Sequence, residues 1–268
     1  MILATDGDFN VGISSDGDLV RLVEQKAKTG VFLTTLGFGD DNLNDSMMTK
    51  LAGKGNGNYH FIDTIREAKK VLLKQMGSTI NTIAKDVKIQ VEFNPAKVQG
   101  YRLIGYENRI LATEDFNNDK KDAGDIGAGH CVTALYEIIP AGDKAEEIAS
   151  TNDGLRYQSN KEPKPEAAGS NELMIVKMRY KQPDGTTSVL QEFPLLDKDQ
   201  KIQDCDRDFR WAASIAQLGM LLRNSPHRGQ SNWDALIESS QEAAGEKPDT
   251  YRQQALELIK RAAALSKG

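Results

Sequence analysis

The first five residues, Met1-Ile2-Leu3-Ala4-Thr5, form an unbroken apolar run that stops at the polar turn Asp6-Gly7-Asp8. A run this short and this uniform suits a strand buried on both faces, as the strands of a parallel sheet are. Such a strand needs a neighbour on each edge, and no residue precedes it, so the sequence is expected to begin partway through a domain. Its bare apolar edge would recruit a copy of the chain or a rearranged segment, and a homodimer through this strand is one expected outcome.

The residues that follow switch between two periodicities. Residues 18–28 place Leu19, Val20, Val23 and Ala27 on one helical face, and Gly30 stops that helix. Residues 31–38 are a β-branched and aromatic run, 45–52 a short helix, and 58–62 a third strand after the turn Gly55-Asn56-Gly57. Over residues 64–83, Ile65, Ala68, Leu72, Met76, Ile80 and Ile83 recur at helical spacing and predict one long helix. Strands alternating with helices imply right-handed crossovers, hence a partial, doubly wound parallel α/β sheet over residues 1–85.

Three stretches now carry a resemblance: Ile2-Leu3-Ala4-Thr5-Asp6-Gly7, then Gly30-Val31-Phe32-Leu33-Thr34-Thr35-Leu36-Gly37-Phe38-Gly39, then Leu51-Ala52-Gly53-Lys54-Gly55-Asn56-Gly57-Asn58-Tyr59. In this order they resemble the fourth, fifth and sixth strand regions of a von Willebrand factor type A domain. Residues 87–95, 101–108 and 127–140 extend the resemblance to the YfbK-like bacterial envelope proteins, in which such a domain precedes a further C-terminal region.

The resemblance implies a metal-ion-dependent adhesion site, with Mg²⁺ held at the carboxyl edge of the sheet by three loops. The first supplies an Asp-x-Ser-x-Ser pattern, the second a Thr, and the third the Asp of a Thr/Ser-Asp-Gly pattern. Only the third is present, as Thr5-Asp6-Gly7, so Asp6 is the one metal-ligand candidate. Oxygen donors suit the ion because Mg²⁺ is hard, octahedral and reluctant to lose all its waters, leaving a position for a partner's carboxylate. In an open α/β sheet the place for such a site is the crevice beyond the carboxyl ends of the strands. One carboxylate, even with Asp8 or Asn10 beside it, makes a weak and poorly selective Mg²⁺ site. Mg²⁺ is therefore expected of the complete domain, and weak or absent here, where the other reading of Asp6 is a residue shaping a strand-to-loop turn.

From Val87 the pattern changes to period two, with Val87, Ile89, Val91 and Phe93 expected on a buried face and Lys88, Gln90 and Glu92 on the other. Residues 101–106, 132–139, 173–180 and 186–193 read as further strands, the last two joined across Gln182-Pro183-Asp184-Gly185. Strands without intervening helices predict an antiparallel, sandwich-like region over residues 86–203, with a flexible excursion at 141–170 rich in Ser, Asn, Glu, Lys and Pro. The loop Asp115-Phe116-Asn117-Asn118-Asp119 begins like a calcium-binding loop, but Lys120 and Ile126 stand where a Gly and a bidentate Glu are required. A solvated connection between strands is the expectation instead. His130 follows Gly127-Ala128-Gly129 but no helix follows it, so a phosphate cradle lacks its dipole.

Residues 204–268 predict three amphipathic helices. Residues 206–223 carry Phe209, Ala213, Ala216 and Met220, with Asp206 as N-cap; 231–244 carry Trp233, Leu236 and Ile237; 250–266 carry Tyr251, Ala255, Leu258, Ile259 and Ala262. These stripes are expected to pack as core.

Charge and composition then narrow the function. A net charge of -5 and a sequence pI near 5.4 disfavour nucleic acid, whose phosphates need clustered cations. No apolar stretch approaches a bilayer span, the nearest at 212–222 being interrupted by Gln217. No signal peptide is visible. Two cysteines, Cys131 and Cys205, are too few for a disulfide framework; two packed thiols are expected, with a single bridge left open. No Gly-x-Ser-x-Gly elbow, His-Glu-x-x-His helix or Walker loop is present, and His60, His130 and His227 lie in no recognisable triad, so an enzyme is not expected. The leading reading is a non-catalytic protein-binding or assembly module of the bacterial cell envelope, a lipoprotein or periplasmic protein by resemblance. The alternative is a structural scaffold with a vestigial metal edge.

Overall fold

The structure, a computed structural model, describes residues 1–6, 15–39, 43–75, 77, 81–105, 111–119, 123–142, 167 and 169–266. Packing divides the chain into two compact units. One comprises Met1–Gln90, Leu111–Cys131 and Lys177–Glu192, the other Val91–Ile110, Val132–Val176 and Phe193–Gly268.

In the first unit β1 (Ile2–Thr5), β2 (Thr34–Gly37) and β3 (Tyr59–Phe61) form a parallel sheet in that order, with α1 (Asp16–Ala27) and α2 (Asp45–Lys54) in the connections. This is the arrangement the sequence resemblance implied. Leu33, Met47 and Leu51 form one core cluster with Leu3, Leu19, Val20 and Val23, and Leu36, Ile62 and Val71 form a second with Ala68. Leu33 and Leu36 are an odd number of positions apart, which sends them to opposite faces of the sheet. The buried strand is β2, at every position. β1, expected to be buried on both faces, instead leaves Ile2 and Ala4 exposed, because among the described residues it pairs with β2 alone.

The turn into β3 depends on close backbone approach. A Cβ at Gly57 would stand 2.0 Å from the Leu33 carbonyl oxygen, so glycine is required where the Thr35 N–H donates to Asn58 O at 2.9 Å.

The long helix predicted over residues 64–83 is shorter than its apolar stripe. Thr64 caps α3 (Ile65–Lys69) by accepting from Glu67 N, a six-residue π-helical turn follows at Lys70–Gln75, and β4 (Thr82–Phe93) has begun by Thr82. Ile83, placed in the stripe, lies on that strand and is exposed, while Met76 and Ile80 lie outside the described residues. The period-two pattern starting at residue 82 overrides the helical spacing that crosses it.

β4 pairs antiparallel with β6 (Gly124–Gly127), a strand that the sequence reading passed over. The register slips between Thr82 and Ala84 and again between Ala84 and Val87, and Asp86 adopts a positive φ of 53°. These slips locally break the regular alternation, and the predicted face holds only in part: Phe93 is buried as expected, Val87 and Val91 are half-buried, but Ile89 is not covered and Lys88 of the predicted polar face is. Asp86, Lys88 and Phe93 are buried, and Ile89 is exposed. The four-stranded sheet runs β6-β4-β8-β9, with β8 (Glu172–Lys181) and β9 (Ser188–Leu196) joined by a turn in which Gly185 N donates to Gln182 O.

In the second unit β5 (Val98–Ile104) and β7 (Leu135–Pro140) form an antiparallel ribbon that pairs Tyr101 with Ile138 and Arg102 with Glu137. Phe93 stacks on Tyr101 with centroids 4.4 Å apart and meets Tyr136 edge-on at 5.4 Å. Helices α4 (Arg207–Leu222), α5 (Trp233–Ala244) and α6 (Thr250–Ser266) close on Leu221, Leu236 and Ile259, with Leu218, Trp233 and Ile237 around them. Asp206, Asn232 and Asp249 accept from Phe209, Ala235 and Tyr251 N–H groups, satisfying first-turn donors. Arg252 of α6 lies over the Trp211 ring at 5.3 Å, pairs with Asp208 and reaches Ala243 O on α5, so one side chain ties three helices.

Candidate functional site at the carboxyl edge of the parallel sheet

The three parallel strands end in one row, with Thr5 in register with Gly37 and Gly37 with Phe61. Their exits are pinned by Phe38 N donating to Thr5 O at 3.0 Å and Ile62 N donating to Gly37 O at 2.8 Å. Asp6 is the next residue out, and the Thr5 hydroxyl lies 3.3 Å from its Oδ1. The Asp of the Thr-Asp-Gly pattern therefore stands at the carboxyl edge, as the resemblance implied; Asp8 and Asn10 lie outside the described residues.

A second acid stands at this edge of the sheet. Asp45 opens α2 and accepts a hydrogen bond from the Tyr59 hydroxyl. Tyr59 begins at the far end of β3, yet its ring reaches across Gly37, where a Cβ would stand 3.0 Å from Tyr59 Cε2 and from Leu43 Cδ1. Burial, then the Asp45 hydrogen bond and charge, push the Tyr59 phenol up to about 12. The sequence reading missed this pair, and the only sequence signal for it is a strand glycine that leaves room for a ring.

Asp6 and the Thr5 hydroxyl are hard oxygen donors, the right type for Mg²⁺. Among the described residues no group of three or more His, Cys, Asp or Glu could hold a metal ion.

His60 faces a different environment. Burial lowers its pKa, Glu67 opposes that, and Lys70, which pairs with Glu67 at 2.6 Å, adds to it, so the net shift is below the ordinary imidazole value. Cys131 and Cys205 are free thiols, Cys131 exposed where packing was expected and Cys205 half-buried, 3.5 Å from Lys201 O.

The acidic loop is solvent-exposed at Asn117, Asn118 and Asp119, as expected of a connection between strands, and is anchored as well. Phe116 is buried, Lys88 Nζ donates to Asn118 O at 2.7 Å, and Lys181 Nζ donates to Asp119 O at 3.0 Å. Asp119 Oδ1 accepts from Ser188 Oγ at 2.5 Å and from Arg179 Nη2 at 3.0 Å. The Ser188 hydrogen bond first, then Arg179, holds the Asp119 carboxyl below the usual carboxylate range. Beneath the loop, Lys181 pairs with Asp86 Oδ2 at 2.9 Å and Lys88 stands 3.4 Å from the same carboxylate. A calcium ion would have to displace cations from these acids.

A family model described as "Uncharacterized protein YfbK, C-terminal" matches residues 78–265. The chain is 45% identical over 260 residues to "Uncharacterized protein YfbK" of Escherichia coli (strain K12), a match covering 97% of this chain and 44% of that protein. The chain thus spans less than half the length of the curated relative it matches. Among solved structures it is similar to a von Willebrand factor type A protein from Catenulispora acidiphila, at 14% identity and a TM-score of 0.40, covering 97% of this chain and 57% of that one. It is also similar to the human COPII-coat protein Sec24c, at 11% identity and a TM-score of 0.36, covering 83% and 26%. By the match over residues 78–265 and the identity with its Escherichia coli relative, the chain belongs to the YfbK C-terminal family.

Proposed function

We propose that this chain is part of a non-catalytic protein-binding or assembly module of the bacterial cell envelope, and that in the complete domain it grips its partner through a Mg²⁺-dependent adhesion site. The observation that carries the reading is Asp6 just beyond the carboxyl end of a strand in a parallel sheet, within the sequence Thr-Asp-Gly. Asp6 would hold the ion through one carboxylate oxygen. The ion, when bound, would supply an open position for a carboxylate of the partner. The chain's own residues position the Asp6 carboxylate: the Thr5 hydroxyl donates to it, and the β1–β2 pairing fixes where β1 ends. The test is partner capture from envelope extracts by a chain extended to the length of the Escherichia coli relative. Capture should be lost in chelator and in Asp6→Ala; equal capture in both would overturn the reading.

A second reading makes the strands and helices after residue 77 the working part, a scaffold with a vestigial metal edge. It is favoured by the family match, which covers 78–265 and leaves out the parallel sheet. Capture that survives deletion of residues 1–85 would select it. No helix among the described residues is long and apolar enough to cross a membrane. The envelope address rests on the resemblance.

A further inference from the structure

We propose that the helix spanning α3 and the π turn, residues 65–75, is a membrane-surface contact that recognises anionic lipid headgroups. One side of it is seated, with Ala68 and Val71 packed against Leu36 and Ile62. Another side is bare and apolar: Ile65 is 76% exposed, Leu73 77% and Leu72 38%. The wider π turn sets Leu72 and Leu73 outward immediately after the buried Val71. Large aliphatic side chains left this exposed on an ordered helix mark a surface that is covered in use.

Charge selects the occupant. The same eleven residues carry Arg66, Lys69, Lys70 and Lys74 against the single acid Glu67, a net +3 on a chain whose total is -5. Lys70 pairs with Glu67, and Arg66, Lys69 and Lys74 are exposed. At physiological ionic strength charges more than about 8 Å away are largely screened, so the local excess, rather than the chain's acidic total, governs contact with a charged surface. A short helix with exposed aliphatics and flanking cations matches the interface of an anionic bilayer, where the apolar side chains enter below the headgroups and the cations stay among the phosphates. Nucleic acid offers the phosphates without an apolar layer for Ile65, Leu72 and Leu73.

The test is flotation of the chain with two vesicle types, phosphatidylglycerol mixed into phosphatidylcholine, and phosphatidylcholine alone. The expected result is binding to the first and none to the second, lost at high salt and weakened about tenfold or more in Lys69→Glu/Lys74→Glu and in Ile65→Ser/Leu73→Ser. All four positions are exposed, so the variants should fold, and unchanged thermal unfolding would confirm that. No flotation with anionic vesicles, equal flotation with neutral ones, or full binding by either folded variant would overturn the proposal. Asp6→Ala should float normally, which separates this surface from the adhesion site.

Discussion

Lys88 Nζ lies 2.7 Å from the carbonyl oxygen of Asn118, thirty residues away, at the end of a side chain that is only 2% exposed. A lysine on what reads as the polar face of a strand is thus an internal strut joining β4 to a loop. The cost of desolvating its ammonium is offset because the Asp86 carboxylate and the Asn118 carbonyl replace water around it.

Removing that strut leaves the buried Asp86 carboxylate with Lys181 still paired to it but without the Lys88 ammonium, and takes the Lys88 hydrogen bond from the Asn118 carbonyl. Lys88→Ala is expected to destabilise the chain by about 3 kcal/mol, the scale for breaking a buried pair. The midpoint of urea unfolding checks it; a change within about 0.5 kcal/mol, the range of ordinary surface substitutions, would mean the pairing does not form.

Asp119 gives a test of the same loop by titration. Its folded pKa lies below its unfolded value, so its contribution is present above the unfolded pKa and is lost as pH falls through the folded one, in acid. Ser188→Ala removes the largest cause, and the Asp119 carboxyl should move up toward the ordinary range when followed by carboxyl-carbon NMR. An unchanged titration would remove Ser188 from the account.

Tyr59 behaves oppositely. Its pKa rises on folding from 10.0 to about 12, so its contribution is complete below pH 10 and is lost as pH climbs toward about 12. Asp45→Asn takes away the anion while leaving the burial, so the phenol should titrate at lower pH than in the parent, still above 10. Ultraviolet titration reads this directly, and no change would show that Asp45 is not its neighbour.

Two glycines make a paired test of backbone approach. Gly57→Ala drives a Cβ into the Leu33 carbonyl and should cost more than about 2 kcal/mol, because a backbone atom cannot step aside as a side chain would. Gly53, inside α2, has nothing within 4 Å of a Cβ, and Gly53→Ala should add up to about 1 kcal/mol. Thermal melts of the two variants should move in opposite directions; equal shifts would refute the geometry around β2.

How much was legible in the sequence follows from which forces act locally. Leu19, Val20 and Val23 announce α1, and Trp233, Leu236 and Ile237 announce α5, because helical spacing and burial agree there. The burial of Asp86 and Lys88 on β4 was hidden, since a positive φ at Asp86 and two register slips accompany the pairing with β6, which no local pattern records. The change from helix to strand before Thr82 was masked by Ile83, an apolar residue at helical spacing that belongs to β4. At the sheet edge Asp6 was readable from Thr5-Asp6-Gly7, whereas the Asp45–Tyr59 pair joins residues fourteen positions apart that only the fold brings together.

On the proposed reading, Asp6 of the complete domain holds a divalent cation at the end of the parallel sheet. The direct measurement is paramagnetic line broadening by Mn²⁺, a substitute for Mg²⁺, in a chain extended to the length of the Escherichia coli relative. The account predicts broadening centred on the amides of Asp6 and Phe38, competed away by Mg²⁺ and absent in Asp6→Ala. Broadening elsewhere, or the same broadening in Asp6→Ala, would contradict it.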